Sequence, residues 1–235
     1  MRQKMLEPWI KGNESITPRN FTFNNSPCFE LGAYIGIDEY IDLYKANEFN
    51  SGNLQTSWNE TREYIEQALV IVNRDLDDNE DDISLDNEEK WWILEKLGEP
   101  PLCSYNIYVI TIYNETEEKV VYIGKTDAKN SRFSNGHLAA LKLHNPIYDG
   151  YKKRVYFGTL MFLDKKNNYL PLEYITPLEE AKRILGYSEA ILIHHFKPEL
   201  NIQMINIETI PIKTVIHIQN FTNTTPFLND VFVYS

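Results

Sequence analysis

Residues 107–125 read Ile-Tyr-Val-Ile-Thr-Ile-Tyr-Asn-Glu-Thr-Glu-Glu-Lys-Val-Val-Tyr-Ile-Gly-Lys, and no other stretch of the chain says more about its fold. Two runs rich in β-branched and aromatic residues, 107–113 and 119–124, flank a short polar segment. This pattern predicts a β-hairpin. Each run contains one tyrosine, Tyr108 or Tyr122, and the second run ends at a glycine.

Five polar residues that could take part in catalysis follow the two hairpin tyrosines in a recognisable order. They are Lys125, directly after the glycine; Arg132 and His137, at the start of a helix-like run; Glu189, which opens an apolar run; and Asn201, which ends the segment Lys-Pro-Glu-Leu-Asn. The order resembles that of the GIY-YIG nuclease family, in which two hairpin tyrosines precede an arginine, often a histidine, a lone glutamate and an asparagine after a proline. The resemblance covers roughly residues 104–203.

The chain departs from the family pattern at two places. Asn106 stands in the first motif where the family usually has glycine. Arg132 and His137 are five residues apart, whereas four is more usual in the family, and on a continuous helix a spacing of five separates the two side chains. A break at Gly136, with His137 starting the helix, would restore their convergence.

The resemblance implies a divalent-metal-dependent phosphodiesterase, that is, an endonuclease of the GIY-YIG type. Glu189 would be the sole protein ligand of one Mg²⁺ or Mn²⁺, since a hard cation that keeps most of its waters needs only one or two carboxylates. Arg132 would bind the scissile phosphate, because its planar fork matches two phosphate oxygens. Without the family pattern, the better explanation of Glu189 is a solvated glutamate at a helix N-terminus, which the helix dipole favours.

The remaining site roles also come from the resemblance. Tyr108 would activate or orient the attacking water, although a phenol with a pKa of about 10 is a poor base unless the site lowers it or relays the proton. Lys125 is the alternative to Tyr108 as general base, or a contact to the phosphate. His137 would hydrogen-bond a tyrosine hydroxyl, Tyr122 would position the nucleophile and Asn201 would brace the pocket. Without the resemblance, tyrosines in strands are interpreted as packing residues whose hydroxyl contacts solvent.

The net charge of −11 argues at first against a nucleic-acid partner, because Lys and Arg drive phosphate binding. The charge is unevenly distributed, however. Residues 1–100 contain 9 Lys/Arg and 21 Asp/Glu, whereas residues 122–166 contain nine basic and three acidic residues. A local positive face is sufficient for a nucleic-acid groove, since salt screens distant charge.

We therefore predict a DNA-binding face in the basic segment. The candidate contacts are Lys142, Lys152, Lys153 and Arg154. The triplet 152–154 precedes a predicted strand, so we expect it at one end of the sheet, beside the cleft. The alternative is that these are ordinary solvated residues, with a basic strand start that keeps an edge soluble.

Composition argues against a zinc site, a disulfide framework and a membrane-spanning segment. Two cysteines, Cys28 and Cys103, cannot make a zinc site and do not form a disulfide framework. No apolar run approaches the length needed to span a bilayer, and no apolar segment of a secretory signal follows Met1. We expect a cytoplasmic protein with no membrane partner.

The chain divides at the proline pair 100–101 into an acidic, mainly helical region (1–100) and a nuclease domain (101–205), which a C-terminal β extension (206–235) follows. Helices are predicted over 36–50 and 55–74, with Ser57 as a candidate N-cap, and a third helix is capped by Asp86. The acidic run 75–89 lacks the glycine and terminal glutamate of a calcium-binding EF-hand loop and is expected to be a solvated loop.

The predicted nuclease core is a small antiparallel three-stranded sheet flanked by helices, and the overall class is α+β. The hairpin supplies two strands and residues 154–163 the third. Helices are predicted over 137–144, 176–186 and 188–196, and residues 210–235 are expected to form one or two strands.

Two functional hypotheses follow. The first is an endonuclease that cleaves DNA, with RNA as the alternative substrate, in a restriction, anti-phage or mobile-element setting. The acidic N-terminal region would then serve recognition, regulation or oligomerisation. The second is a catalytically degenerate fold of the same family that binds nucleic acid or a protein without cutting.

Overall fold

The computed structural model describes residues 4–12, 32–74, 83–127, 138–163, 169–201, 213–223 and 225–235. Within these ranges, one mixed sheet contains strands from the N-terminal, central and C-terminal parts of the chain. Its seven strands are β1 (Ala33–Asp42), β2 (Ile107–Tyr113), β3 (Glu118–Lys125), β4 (Lys152–Leu163), β5 (Tyr169–Pro171), β6 (Val215–Asn220) and β7 (Val231–Tyr234).

The strand order is β3-β2-β4-β1-β6-β7, and β5 pairs with β4 beside this path. Strands β1 and β6 are parallel, and all other pairs are antiparallel. The prediction of a small three-stranded antiparallel sheet is therefore wrong. The hairpin and β4 do lie side by side, but four more strands extend the sheet, and the class remains α+β.

The N-terminal region supplies a strand where a helix was expected. The prediction of a helix over 36–50 is wrong, because Ala33–Asp42 forms β1 and only the following Leu43–Glu48 is helical, as a 3₁₀ turn. Ala33, Ile35 and Ile37 are buried at every second position, the period of a strand with one face in the core. β1 is bonded to β4 on one side and β6 on the other, so tertiary pairing fixes its conformation.

The hairpin was predicted correctly, and its first strand lies inside the sheet. β2 pairs with β3 on one side and β4 on the other, and six of its seven residues are buried. A strand with both faces covered is expected to be apolar throughout, which explains the unbroken run that begins at Ile107. The prediction of one or two strands over 210–235 is also confirmed, and the structure has two, β6 and β7.

Five α-helices lie among the described residues, and none of them is long and apolar enough to cross a membrane. They are α1 (Glu7–Ile10), α2 (Leu54–Ile71), α3 (Asn87–Leu97), α4 (Leu138–Lys142) and α5 (Leu178–Phe196).

Local capping explains where α2 and α3 begin. Asn53 caps α2 by accepting a hydrogen bond from the backbone N–H of Thr56, so the predicted cap at Ser57 is wrong. Ser57 instead lies buried in the helix and donates to Glu173. The predicted cap at Asp86 is confirmed: its carboxylate and that of Glu89 form a reciprocal capping box.

Residues 178–196 form one continuous helix, so the predicted break near Gly186 is wrong. Glycine inside a helix costs roughly 1 kcal/mol relative to alanine. The apolar face of α5 offsets this cost by burying Ile184, Leu185, Ile191 and Leu192 against one face of the sheet.

Separate apolar clusters cover the two faces of the sheet. Helix α5 packs on one face, in the cluster that contains Ile123 and Leu160. The opposite face packs Tyr108 and Phe157 together with Ala139 of α4. Helices α1, α2 and α3 share a further cluster, which lies in the N-terminal part of the chain.

Candidate active site

The two motif tyrosines stack on one another. Their ring centroids are 6.0 Å apart and their planes differ by 27°. Tyr108 is fully buried, whereas Tyr122 is half-buried. A β-bulge in β3 places Val121 and Tyr122 on the same side of the sheet as Tyr108.

Gly124 is required by the position of Tyr108, which lies directly opposite it in the register of the hairpin. A Cβ atom at position 124 would lie 2.9 Å from Cε1 of Tyr108 and still closer to Cζ and the hydroxyl oxygen. The glycine that ends the second motif therefore has a steric function: it admits the tyrosine ring over the backbone of β3.

Asn106, which replaces the usual glycine of the first motif, is fully buried. Its side-chain oxygen accepts a hydrogen bond of 2.8 Å from the backbone N–H of Leu160, in β4. Its backbone carbonyl accepts from Thr126, just beyond β3. The asparagine thus ties the start of β2 to both neighbouring strands.

A charged cluster lies where β3 ends. The ammonium group of Lys125 is 3.2 Å from Oδ2 of Asp127 and 4.0 Å from Oε2 of Glu189, which projects from α5. The side chains are 18%, 22% and 10% exposed, respectively, so the cluster is partly shielded from water. Charges in such a position interact more strongly than charges on the open surface.

The tyrosine pair and this charged cluster belong to opposite sides of β3. Successive side chains of a strand alternate between faces, and Lys125 follows Gly124 directly. The tyrosines pack with Phe157, whereas Lys125 lies against α5, which covers the other face. Both groups nevertheless involve the last residues of the same strand.

Asn201 closes the outer edge of β3. Its side-chain oxygen accepts from the N–H of Ile123 (2.9 Å), and its amide nitrogen donates to the carbonyl of the same residue (2.8 Å). The neighbouring Leu200 donates its backbone N–H to Val121. These bonds satisfy backbone groups that an edge strand would otherwise leave unpaired.

The basic triplet lies far from the charged cluster. In the register of β2, Ile107 is opposite Lys125, and Tyr113, six residues further on, is opposite Lys152. Six strand steps span roughly 20 Å. Our expectation that the triplet lies beside the cleft is therefore wrong: the triplet occupies the other end of the sheet.

Within the triplet, Lys152 is exposed and Lys153 is half-buried, but Arg154 is buried. Its guanidinium carbon lies 3.5 Å from the centre of the Tyr113 ring, and its Nε is 3.6 Å from Oε1 of Glu118. Burial also raises the pKa of the neighbouring Tyr156, whose hydroxyl donates to Glu118. Arg154 is thus enclosed by the protein's own groups and does not offer its fork to DNA in this conformation.

Lys142 lies beside an open groove with a volume of about 490 Å³. Its lining residues are Leu141, Lys142, His144, Asn145, Ile147, Tyr148 and Leu200. The groove borders the β3 edge, because Leu200 is bonded to that strand. Burial and a hydrogen bond to Glu199 raise the pKa of Tyr148 to about 12, so this hydroxyl stays protonated near neutral pH.

Arg132 and His137 lie outside the described residues, so their predicted roles rest on the sequence alone. Asp127 was missed by the sequence reasoning, which counted it only as a negative charge. Its spacing of two from Lys125 could have identified it, since alternate residues of an extended segment project to the same side.

Comparisons with protein-family models, with curated proteins and with solved structures give no match for this chain. The resemblance to GIY-YIG nucleases therefore depends on the motif residues themselves.

Proposed function

We propose that this protein is a divalent-metal-dependent endonuclease that hydrolyses phosphodiester bonds in DNA. The observation that carries the proposal is the approach of Glu189 to Lys125. These residues are 64 positions apart in the sequence, and both belong to the motif pattern. Their side chains meet at the end of the strand that carries Tyr122.

The charged cluster fits a hard divalent cation. Glu189 offers a carboxylate that is mostly shielded from water, and the Lys125 ammonium, 4.0 Å away, shares its negative charge with any bound cation. No group of three or more His, Cys, Asp or Glu ligands occurs in the described part of the chain. Mg²⁺ does not require such a group, because one or two carboxylates and several waters suffice. When bound, the ion would stabilise negative charge on the phosphoryl oxygens.

The protein's own groups would do the remaining work. Lys125 can contact a phosphate oxygen, and Arg132 is proposed to hold the scissile phosphate with its bidentate fork. Tyr122 is half-buried and lies on the other face of β3 from the charged cluster, so it is not assigned to the attacking water at Glu189. Tyr108 supports the ring of Tyr122 by stacking, and Asn201 keeps the strand in place. These contacts favour a rigid strand end, on which catalytic geometry is best maintained.

DNA is proposed to cross the β3 edge along the groove beside Lys142. Lys152 and Lys153, about 20 Å from the charged cluster along the strand direction, could contact the same duplex at a distance of several base pairs. Arg154 is omitted from this interface because it is buried.

A specific observation favours a second candidate, a fold of this type that binds nucleic acid without cutting it. Tyr108 is fully buried, so its hydroxyl does not reach bulk solvent in this conformation. The resemblance implies that Tyr108 activates the attacking water. That role would require the hydroxyl of Tyr108 to lie beside the reacting phosphate.

Incubation of supercoiled plasmid with the full chain distinguishes the two candidates. An endonuclease should convert the plasmid to nicked or linear DNA in Mg²⁺ and leave it intact in EDTA. Retention of DNA in a gel-shift assay without cleavage at any Mg²⁺ or Mn²⁺ concentration would support the binding protein and contradict the enzyme.

A further inference from the structure

Lys125 lies nearer to Asp127 than to Glu189: the distances from its ammonium nitrogen are 3.2 and 4.0 Å. The position of the lysine is also limited from the helix side. A Cβ atom at Gly186 of α5 would lie only 3.3 Å from Nζ, so the glycine leaves room for the ammonium group.

An ammonium group next to a carboxylate competes with a divalent cation for the same negative charge. The interaction falls with distance, so the site's affinity for metal depends on how closely Lys125 approaches Glu189. Asp127, whose Oδ2 is 3.2 Å from the ammonium nitrogen, is the nearer of the two carboxylates and thereby limits that approach.

We propose that Asp127 is a positioning residue that holds Lys125 away from Glu189 and so keeps Glu189 able to take a divalent cation. The inference rests on the proposed function, because it assumes that Glu189 is the metal ligand. Asp127 acts through Lys125 and is not itself proposed to bind the metal.

The proposal predicts the effect of Asp127→Asn on metal affinity. If the ammonium then moves from 4.0 Å to about 3 Å from Glu189, its attraction at an effective dielectric constant of about 20 rises enough to weaken metal binding about tenfold. Lys125→Met should have the opposite effect and tighten metal binding. In the Lys125→Met background, Asp127→Asn should change the affinity less than about twofold, since the competing charge is absent.

The test is a titration of the full chain with Mn²⁺ alone, followed by electron paramagnetic resonance of the free ion, without DNA. Binding that Glu189→Gln removes defines the site, because any Mn²⁺ that acidic residues elsewhere hold is not affected by that substitution. Asp149→Asn, at an exposed acidic residue outside the cluster, is the matched control and should leave that binding unchanged.

An equal loss of affinity on Asp127→Asn with and without Lys125 would overturn the proposal, because Asp127 would then act on the metal directly. An unchanged or weakened affinity in Lys125→Met would overturn it independently, even if Asp127→Asn failed to fold. Failure of the proposed function gives a different result: Glu189→Gln would then leave Mn²⁺ binding unaltered.

Discussion

Replacement of Gly124 by alanine tests the steric account of the second motif. The added Cβ would lie 2.9 Å from Cε1 of Tyr108 and closer still to Cζ, whereas carbon atoms in good contact are about 3.5–4.0 Å apart. The ring would have to move by about 1 Å, and it has no free space because Tyr108 is fully buried. We expect the free energy of unfolding to fall by about 3 kcal/mol, the upper end of ordinary overpacking.

For a chain of 235 residues, that loss corresponds to a Tm lowered by about 6–12 °C. Urea denaturation followed by far-UV circular dichroism gives the free energy directly. Gly150→Ala is the matched control, since a Cβ there meets no atom of the described residues within 4 Å; its effect should lie within about 1 kcal/mol. Equal stability of Gly124→Ala and Gly150→Ala would refute the close packing of Tyr108 against β3.

Three further predictions concern stability and DNA binding. Asn201→Ala removes both hydrogen bonds to Ile123 and should cost about 1–3 kcal/mol in urea denaturation; no loss would contradict the edge-closing role. Burial raises the pKa of Tyr64 from its ordinary value of about 10 to about 12, so the unfolded state loses its proton first and stability should fall as pH rises from 10 to 12. At pH 8, Tyr64→Phe should be less stable than wild type, and between pH 10 and 12 it should lose less stability than wild type does. Urea midpoints that fall equally for the two proteins between pH 10 and 12 would contradict this. Arg154→Gln should destabilise the fold by about 3 kcal/mol without changing the salt dependence of DNA binding, whereas Lys142→Gln should lower the salt slope by about 0.9; the reverse pattern in filter-binding titrations would contradict the proposed interface.

The parts of the fold that local sequence specifies were predicted well. The hairpin follows from two β-branched runs around a polar turn, and α3 from the capping aspartate Asp86. The size of the sheet could not be predicted in this way. β1 becomes a strand by pairing with β4, more than a hundred residues later, and such long-range pairing leaves little trace in a local window.

The candidate site shows the same division. The motif order selected Lys125, Glu189 and Asn201, and the structure places all three at the end of β3. The burial of Tyr108 and Arg154 could not be inferred, because each depends on which elements cover that part of the sheet. A basic residue at a strand start has the same sequence pattern whether it faces solvent or a half-buried glutamate such as Glu118.

Cleavage of supercoiled plasmid by Glu189→Gln in Mg²⁺ tests the central claim most directly. The substitution keeps the size and helix propensity of the residue but removes the charge, and Glu179→Gln, at an exposed position on the same helix, is the matched control. With folding verified by a cooperative melt, the account predicts that Glu189→Gln binds DNA as wild type does but loses cleavage, at least about a hundredfold, while Glu179→Gln cleaves normally. Cleavage by Glu189→Gln at the wild-type rate would contradict a catalytic metal site at this carboxylate.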